Sequence, residues 1–302
     1  MPDFLNPLEW LGLPTFSDMI DFFKGIIIAG ILGSFEELGN FHKHNILMNS
    51  LYSSLGKSPS EWNTSIFSAI TGMAENVLMI VAAVIISFVI TYDLVQSVSE
   101  HNSKQDFEIS ILIKWLAKSG LAVYLVSNSM TIVNGIFTAS SWIIEKASSY
   151  LYSDAALNPE VMIEFYRNSL QDKSIFSLFL IQAEILTANI AVIIVMIVAE
   201  VIIWSRMIEI FMVIAASPIP FATLMNRDWS DIGRNYIKLI CAYGFQAYLI
   251  MIIFAVYSAL IGSIAYSDSI TSSVITLITY TFLFGYMLFK TEAIAKSIFC
   301  AR

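Results

Sequence analysis

The amino-acid sequence predicts an all-α, polytopic integral membrane protein with about five transmembrane helices and an N-terminal amphipathic helix. Of its 302 residues, 57% are hydrophobic and only 13% are charged, whereas soluble domains usually carry about 25% charged residues. The mean hydropathy is +0.72. Several apolar runs reach about 20 residues, the length that a helix needs to cross a bilayer.

Charge and motifs argue against several classes of function. The net charge of −8 disfavours a soluble nucleic-acid binder, which would present a basic patch, although a DNA conduit need not hold its cargo tightly. The two cysteines, Cys241 and Cys300, are typical neither of a disulfide framework nor of a zinc site. The sequence shows no nucleotide-binding loop, zinc motif or catalytic-triad spacing. We therefore expect no catalytic residues, no metal, no cofactor and no enzymatic activity.

Composition divides the chain into four regions. They are an N-terminal extracytoplasmic region (1–57), the first two membrane helices (58–145), an extracytoplasmic loop with a short helix (146–180), and three further membrane helices with a short cytoplasmic tail (181–302). Within the first region, residues 16–40 predict an amphipathic helix whose apolar centre is too short to span. We expect it to lie in an interface or to pack on other subunits.

The first crossing is expected to begin at Ser58-Pro59-Ser60-Glu61, which combines a capping box with proline at the first helical position. The helix is expected to continue through Trp62 into the apolar run 77–90. The second crossing is expected over 110–144. Near its start, Lys114 and Lys118 lie one turn apart and can extend to the headgroup region.

Polar side chains recur along the second crossing at spacings of three and four residues, which places them on one helical face. This polar stripe consists of Ser127, Thr131, Asn134, Thr138, Ser141 and Glu145. It can face water or a translocating substrate, or it can serve helix packing through hydroxyls that bond their own backbone. Hydrogen bonds to the backbone of the same helix account for hydroxyls in an apolar run more readily than for the amide of Asn134.

The third crossing is expected over 185–204. Asn189 and Glu200 are eleven residues apart and so fall on nearly the same helical face. A carboxylate in a membrane span is a functional candidate, although Glu200 lies near the end of the span and can simply reach the interface. Arg206 and Glu209, three residues apart, can form an ion pair.

A helix break follows at Ser217-Pro218-Ile219-Pro220, since each proline lacks a backbone N–H and disfavours helix just before it. The break is either a buried or cavity-lining feature at membrane depth or an ordinary break at the membrane surface. Residues 205–225 can also cross separately, which would give six spans.

The last two crossings are expected over 236–260, which contains Gln246, and over 270–289. The loop 226–238 between the third and fourth crossings holds Arg227, Arg234 and Lys238, the densest basic cluster in a short loop. The positive-inside rule places this loop and the C-terminal tail in the cytoplasm. With five spans, the N-terminus and the loop 146–180 then lie outside.

Two stretches resemble the TrbL-like family of polytopic conjugal-transfer proteins, especially the version found in Gram-positive mobile elements. They are AASPIPFATLMNRDWSDIGRNYIKLICAYGFQAYLIMI, residues 215–252, and ITYDLVQSVSE…FEISILIKWLAKSGLAVYLVSNSMTIVNGIF, which starts at residue 90. The resemblance implies an inner-membrane channel subunit of a type IV secretion system. It also implies other secretion subunits and cytoplasmic ATPases as partners, and relaxase-bound DNA passing nearby. We further expect a homo-oligomer in the lipid bilayer.

A self-contained secondary transporter for a small solute is the alternative. Many transporters show an internal repeat between two halves and paired interrupted helices, and the sequence shows neither.

Overall fold

A computed structural model of the chain describes residues 16–43, 53–101, 109–151, 159–264 and 270–301. These residues are mostly helical, and no strand occurs among them. The all-α fold class is therefore confirmed.

The helices follow one another in the order that the apolar runs predict. Their bounds are α1 Phe16–Lys43, α2 Pro59–Trp62, α3 Thr64–Met73, a π-helical turn Ala74–Leu78, α4 Met79–His101, α5 Ile109–Ser127, α6 Ser129–Leu151, α7 Pro159–Gln171, α8 Ile175–Ala216, α9 Pro218–Thr223, α10 Ser230–Gly262 and α11 Ile270–Ile298. A further helical turn occupies residues 53–56.

Four continuous helical segments are long and apolar enough to cross a membrane, and a bent helix pair can supply a fifth crossing. The four are Thr64–Ser99, Ile175–Ala216, Ser230–Gly262 and Ile270–Ile298, and the pair is Leu112–Ser127 with Ser129–Ala147. This agrees with a polytopic protein of about five spans. Residues 205–216 continue α8 instead of forming a separate helix, so the six-span alternative finds no support there.

The first crossing begins later than the sequence predicts. The carboxylate of Glu61 accepts hydrogen bonds from the backbone N–H of Ser58 at 3.0 Å and from its hydroxyl at 2.8 Å. These bonds hold the pKa of Glu61 below its usual value. The capped helix nevertheless ends at Trp62, because Asn63 is extended and its side chain caps a new helix by accepting from Ile66 N–H at 3.0 Å.

The second crossing is two helices bent by 65° instead of the single helix expected over 110–144. Asn128 lies between α5 and α6, and its side-chain amide donates to the carbonyl of Tyr124 at 2.9 Å. The backbone N–H of Asn128 donates to the same carbonyl at 3.1 Å. A side chain that shares a backbone acceptor in this way competes with regular helical bonding, which favours a bend.

Helix α8 contains 42 residues and is about 63 Å long at 1.5 Å per residue. The hydrocarbon core of a bilayer is only about 30 Å thick. A large part of α8 therefore lies beyond what one crossing requires.

Contacts group the described residues into two compact units. Unit 1 draws on the ranges 1–49, 153–199 and 254–286. In it, the ring of Tyr166 on α7 stacks on Phe35 of α1 at 5.5 Å, and its hydroxyl bonds that of Ser273 at 2.8 Å. The C-terminal half of α1 is thus packed within the chain, whereas Phe22 and Phe23 in its first half are exposed.

Unit 2 draws on the ranges 50–152, 200–253 and 287–302. Its core includes Phe137, Met207 and Phe221, all nearly fully buried. The ammonium of Lys118 forms an ion pair with the buried carboxylate of Asp93 at 2.8 Å, so α4 and α5 are joined by a charge pair. Lys118 therefore pairs within the chain, and both Lys118 and Lys114 are exposed.

Candidate functional site

The bend at Asn128 divides the predicted polar stripe. Ser127 is the last residue of α5, whereas the other five members lie on α6. The exposed members on α6 are Thr131, Thr138 and Glu145, and Asn134 and Ser141 are half-buried. Much of the stripe on α6 is therefore left uncovered by the described residues of the chain.

Two stripe hydroxyls bond their own helix. Thr138 donates to the carbonyl of Asn134 at 3.0 Å, and Ser141 donates to that of Phe137 at 3.1 Å. Such bonds satisfy a hydroxyl at membrane depth without a partner helix. The hydroxyls alone therefore do not decide between packing and hydration.

Asn134 behaves differently from the hydroxyls. Its side-chain oxygen is buried and has no hydrogen-bond partner among the described residues. Leaving a buried acceptor unsatisfied costs about 1–3 kcal/mol, so such a group calls for water or another chain. Asn134 is therefore the stripe residue whose side-chain oxygen still needs a hydrogen-bond donor.

A buried arginine lies at the centre of a second polar region. Arg206 on α8 is only 5% exposed, and its Nε and Nη2 donate to the backbone carbonyl of Tyr243 on α10 at 3.2 and 3.1 Å. Among the described residues, its Nη1 contacts only the sulfur of Met207, at 3.9 Å. The Arg206–Glu209 ion pair that the spacing allows is not formed among the described residues, because the guanidinium turns to this carbonyl.

Tyr243, whose carbonyl accepts from Arg206, lies beside further polar side chains of α10 and α11. The ammonium of Lys296 pairs with Glu292 and lies 5.2 Å from the centre of the Tyr243 ring. Gln246, a predicted intramembrane residue, donates to the hydroxyl of Thr291 at 3.3 Å, and its side-chain oxygen has no described partner. We call Arg206, Tyr243, Gln246, Thr291 and Lys296 the Arg206 cluster.

Sequence reasoning found Gln246 but missed how the Arg206 cluster is assembled. Tyr243 and Gln246 lie one turn apart on α10, a spacing that could have indicated a shared face. The partner of Arg206 is a backbone carbonyl, which no sequence pattern reveals.

The proline break is buried within unit 2. Ser217 is fully buried and its hydroxyl donates to that of Ser129 at 3.3 Å. Because Pro218 has no N–H, the carbonyl of Ile214 accepts from Ser217 N–H at 3.1 Å instead. The freed carbonyl of Val213 accepts the Tyr236 hydroxyl at 2.7 Å. Pro218 and Pro220 then lie in the short helix α9.

The other predicted intramembrane residues, Asn189 and Glu200, belong to different units. The amide of Asn189 donates to the carbonyl of Ser34 on α1 over a long 3.5 Å, within unit 1. Glu200 belongs to unit 2, is half-buried and forms no hydrogen bond or ion pair with a described residue. The bond of Asn189 to Ser34 thus favours a role for Asn189 in packing α8 against α1.

The basic loop is exposed. Arg227 and Lys238 are exposed, and Arg234 pairs with Asp231 at 2.8 Å on the surface. Exposed pairs of this kind contribute about 0–1 kcal/mol, so the loop is available for charge interactions.

An all-α, multi-pass membrane protein with polar groups along its helices is the class that these observations define. The chain belongs to the family described as TrbL/VirB6 plasmid conjugal transfer like protein, which it matches over residues 45–218. The match covers more than half of the chain and confirms the predicted TrbL-like resemblance. The matched range includes the whole stretch that begins at residue 90. It also includes the first four residues of the stretch 215–252.

No curated protein and no solved structure matches the chain. Family membership makes the protein a component of conjugal transfer, in association with other conjugation components. The family is a structural component of conjugation and not a known enzyme family.

Proposed function

We propose that the chain is a channel or scaffold subunit of a conjugative type IV secretion system, and that it helps relaxase-bound DNA cross the cytoplasmic membrane. One observation carries this proposal: polar residues of α6 remain exposed on a helix of the bent second crossing. Between them, the half-buried Asn134 has a side-chain oxygen without a described partner.

Polar side chains that face lipid are unfavourable, so they usually turn to a water-filled cavity or to another protein chain. Thr131 and Thr138 are exposed, one turn to either side of Asn134. A homo-oligomer that places α6 around a shared path would hydrate this face and expose it to passing DNA.

The exposed basic loop 226–238 supports an orientation in which this loop faces the cytoplasm. Arg227, Arg234 and Lys238 favour the cytoplasmic side, where the ATPases of a secretion system would be met. The N-terminus and the α7 segment then lie outside.

The substitution Asn134→Leu tests the proposal. It removes an unsatisfied polar group, so the complex should assemble in normal yield while conjugation frequency falls at least ten-fold. Asn189→Leu is the contrasting variant, because its amide bonds α1 within the chain. We expect it to lower yield and conjugation together, since hydrogen bonds between membrane helices contribute about 0.6–2 kcal/mol.

Yield after detergent extraction and conjugation frequency in mating cells are the two measurements. If Asn134→Leu lowers both in parallel, the stripe serves packing and the conduit assignment fails. If it alters neither, the stripe has no part in transfer.

A further inference from the structure

Trp142 on α6 is a large side chain that the described part of the chain leaves uncovered. It is 60% exposed. Neither a ring contact nor a hydrogen bond joins it to a residue that the structure describes. An indole combines a large flat apolar surface with one N–H donor, so it usually packs where both can be satisfied. The partner of Trp142 therefore lies outside the described part of the chain.

The position of Trp142 on its helix places it beside the polar stripe. It follows Thr138 by four residues and Thr131 by eleven, so the three side chains share one face of α6. Both threonines are exposed. Gly135 lies on the same face, and a Cβ added to it would meet no atom within 4 Å. The indole thus borders an open part of the helix surface.

The other strongly exposed tryptophan of a membrane helix has different surroundings. Trp204 on α8 is 51% exposed, and its ring packs on that of Trp62 at 5.8 Å. One turn to either side of it, Val201 and Ile208 are exposed aliphatic residues. An aromatic ring on such an apolar face fits an anchor at the lipid interface. Trp142 instead lies among threonines and a glycine, a face that lipid tails do not favour.

The charges of α6 indicate what kind of contact this face can make. No basic residue occurs in α6 before Lys146, and the stripe ends at the carboxylate of Glu145. Phosphates are held mainly by lysine and arginine, so the stripe between Ser129 and Glu145 offers them no cation. An aromatic ring, in contrast, stacks on a nucleobase without needing a positive charge.

We propose that Trp142 stacks on the bases of DNA that passes α6 as a single strand. This inference rests on the proposed function of the stripe as the path of the DNA. Every base has a π face, so the contact is independent of sequence and suits a conduit for long DNA. The bases of a duplex are stacked on one another and cannot be reached in this way. A contact through one ring, without basic residues beside it on the stripe, also lets the strand move on.

Two substitutions at Trp142 test whether an aromatic ring is needed. In mating cells, Trp142→Leu should lower conjugation frequency about five-fold per assembled complex, whereas Trp142→Phe, which keeps a ring, should lower it about two-fold at most. Complex yield after detergent extraction supplies the normalisation. Trp204→Leu is the matched control at an exposed tryptophan on an apolar face, and transfer per complex should stay unchanged. Equal transfer in the two Trp142 variants, or an equal loss in Trp204→Leu, would overturn the proposal.

A light-activated base probes the native indole directly. The full chain in detergent is irradiated with a single-stranded oligonucleotide in which 5-bromouracil replaces thymine, since this base crosslinks to an aromatic ring that it touches. Mass spectrometry should locate the adduct on Trp142, and the same oligonucleotide in a duplex should give none. Equal adducts from single strand and duplex, an adduct on Trp204 instead, or no adduct would each contradict stacking at Trp142.

A photoreactive amino acid separates this inference from the proposed function. Placed at Thr138 in mating cells, it should capture DNA if the stripe is the path; placed at Trp142, it should capture the same strand. Capture of DNA at Thr138 but only of lipid or protein at Trp142 would overturn the stacking contact and leave the conduit intact. Absence of DNA at both positions would overturn the two together.

Discussion

At the scale of single residues, buried polar groups differ in whether they find partners across helices. Arg206 and Tyr236 both donate to backbone carbonyls, of Tyr243 and Val213, and so connect α8 with α10. Asn134 has no such partner for its oxygen among the described residues. The first two residues stabilise the arrangement of helices, whereas we propose that Asn134 serves an interaction outside the chain.

The contribution of Arg206 can be measured with Arg206→Lys. A lysine ammonium cannot place two donors in a fixed fork on one carbonyl, so the free energy of unfolding should fall by about 1.5–3 kcal/mol. Denaturant titration in detergent gives this value. Arg227→Lys is the control at an exposed arginine. Equal unfolding midpoints for the two variants would show that the paired hydrogen bonds of Arg206 do not contribute to stability.

At the scale of the helices, apolar run length predicted the order of the crossings well. It worked because a membrane crossing depends on a local property, the number of consecutive apolar residues. The bend at Asn128 escaped this reasoning, since a single amide that competes for the Tyr124 carbonyl hardly changes the hydropathy of the run. The break at Pro218 was predicted because proline lacks a donor whatever surrounds it.

The polar sites were less predictable than the helices, because their residues are distant in the sequence and meet only in the packed chain. Gln246 was found as a polar residue in an apolar run. Its partner Thr291 lies 45 residues away on another helix, and only the packed chain brings them together.

Replacing Pro218 and Pro220 together by alanine tests the role of the break. Proline in a helix interior costs about 3 kcal/mol relative to alanine, so α8 should extend through α9. We expect conjugation frequency to fall at least ten-fold while protein level holds. Pro59→Ala is the control, because Pro59 occupies a first helical position where no N–H is needed. Unchanged transfer in the double variant would make the break a passive feature.

At the scale of the whole molecule, the proposed orientation follows from where the basic residues lie. Single cysteines at Asp172 and Asp228, both exposed, test it in a chain whose Cys241 and Cys300 are replaced by serine. A membrane-impermeant maleimide should label the Asp172→Cys chain in intact cells and the Asp228→Cys chain only after lysis. Labelling of both from the same side would contradict an odd number of crossings between these positions.

The central claim, that the stripe on α6 lines the path of the DNA, is tested most directly by photocrosslinking in mating cells. A photoreactive amino acid at Thr138 should capture the transferring DNA strand. The same amino acid at Ile194, an exposed apolar position of α8, should not. Capture of protein without DNA at Thr138, while transfer proceeds normally, would show that the stripe packs against another subunit and would contradict the claim.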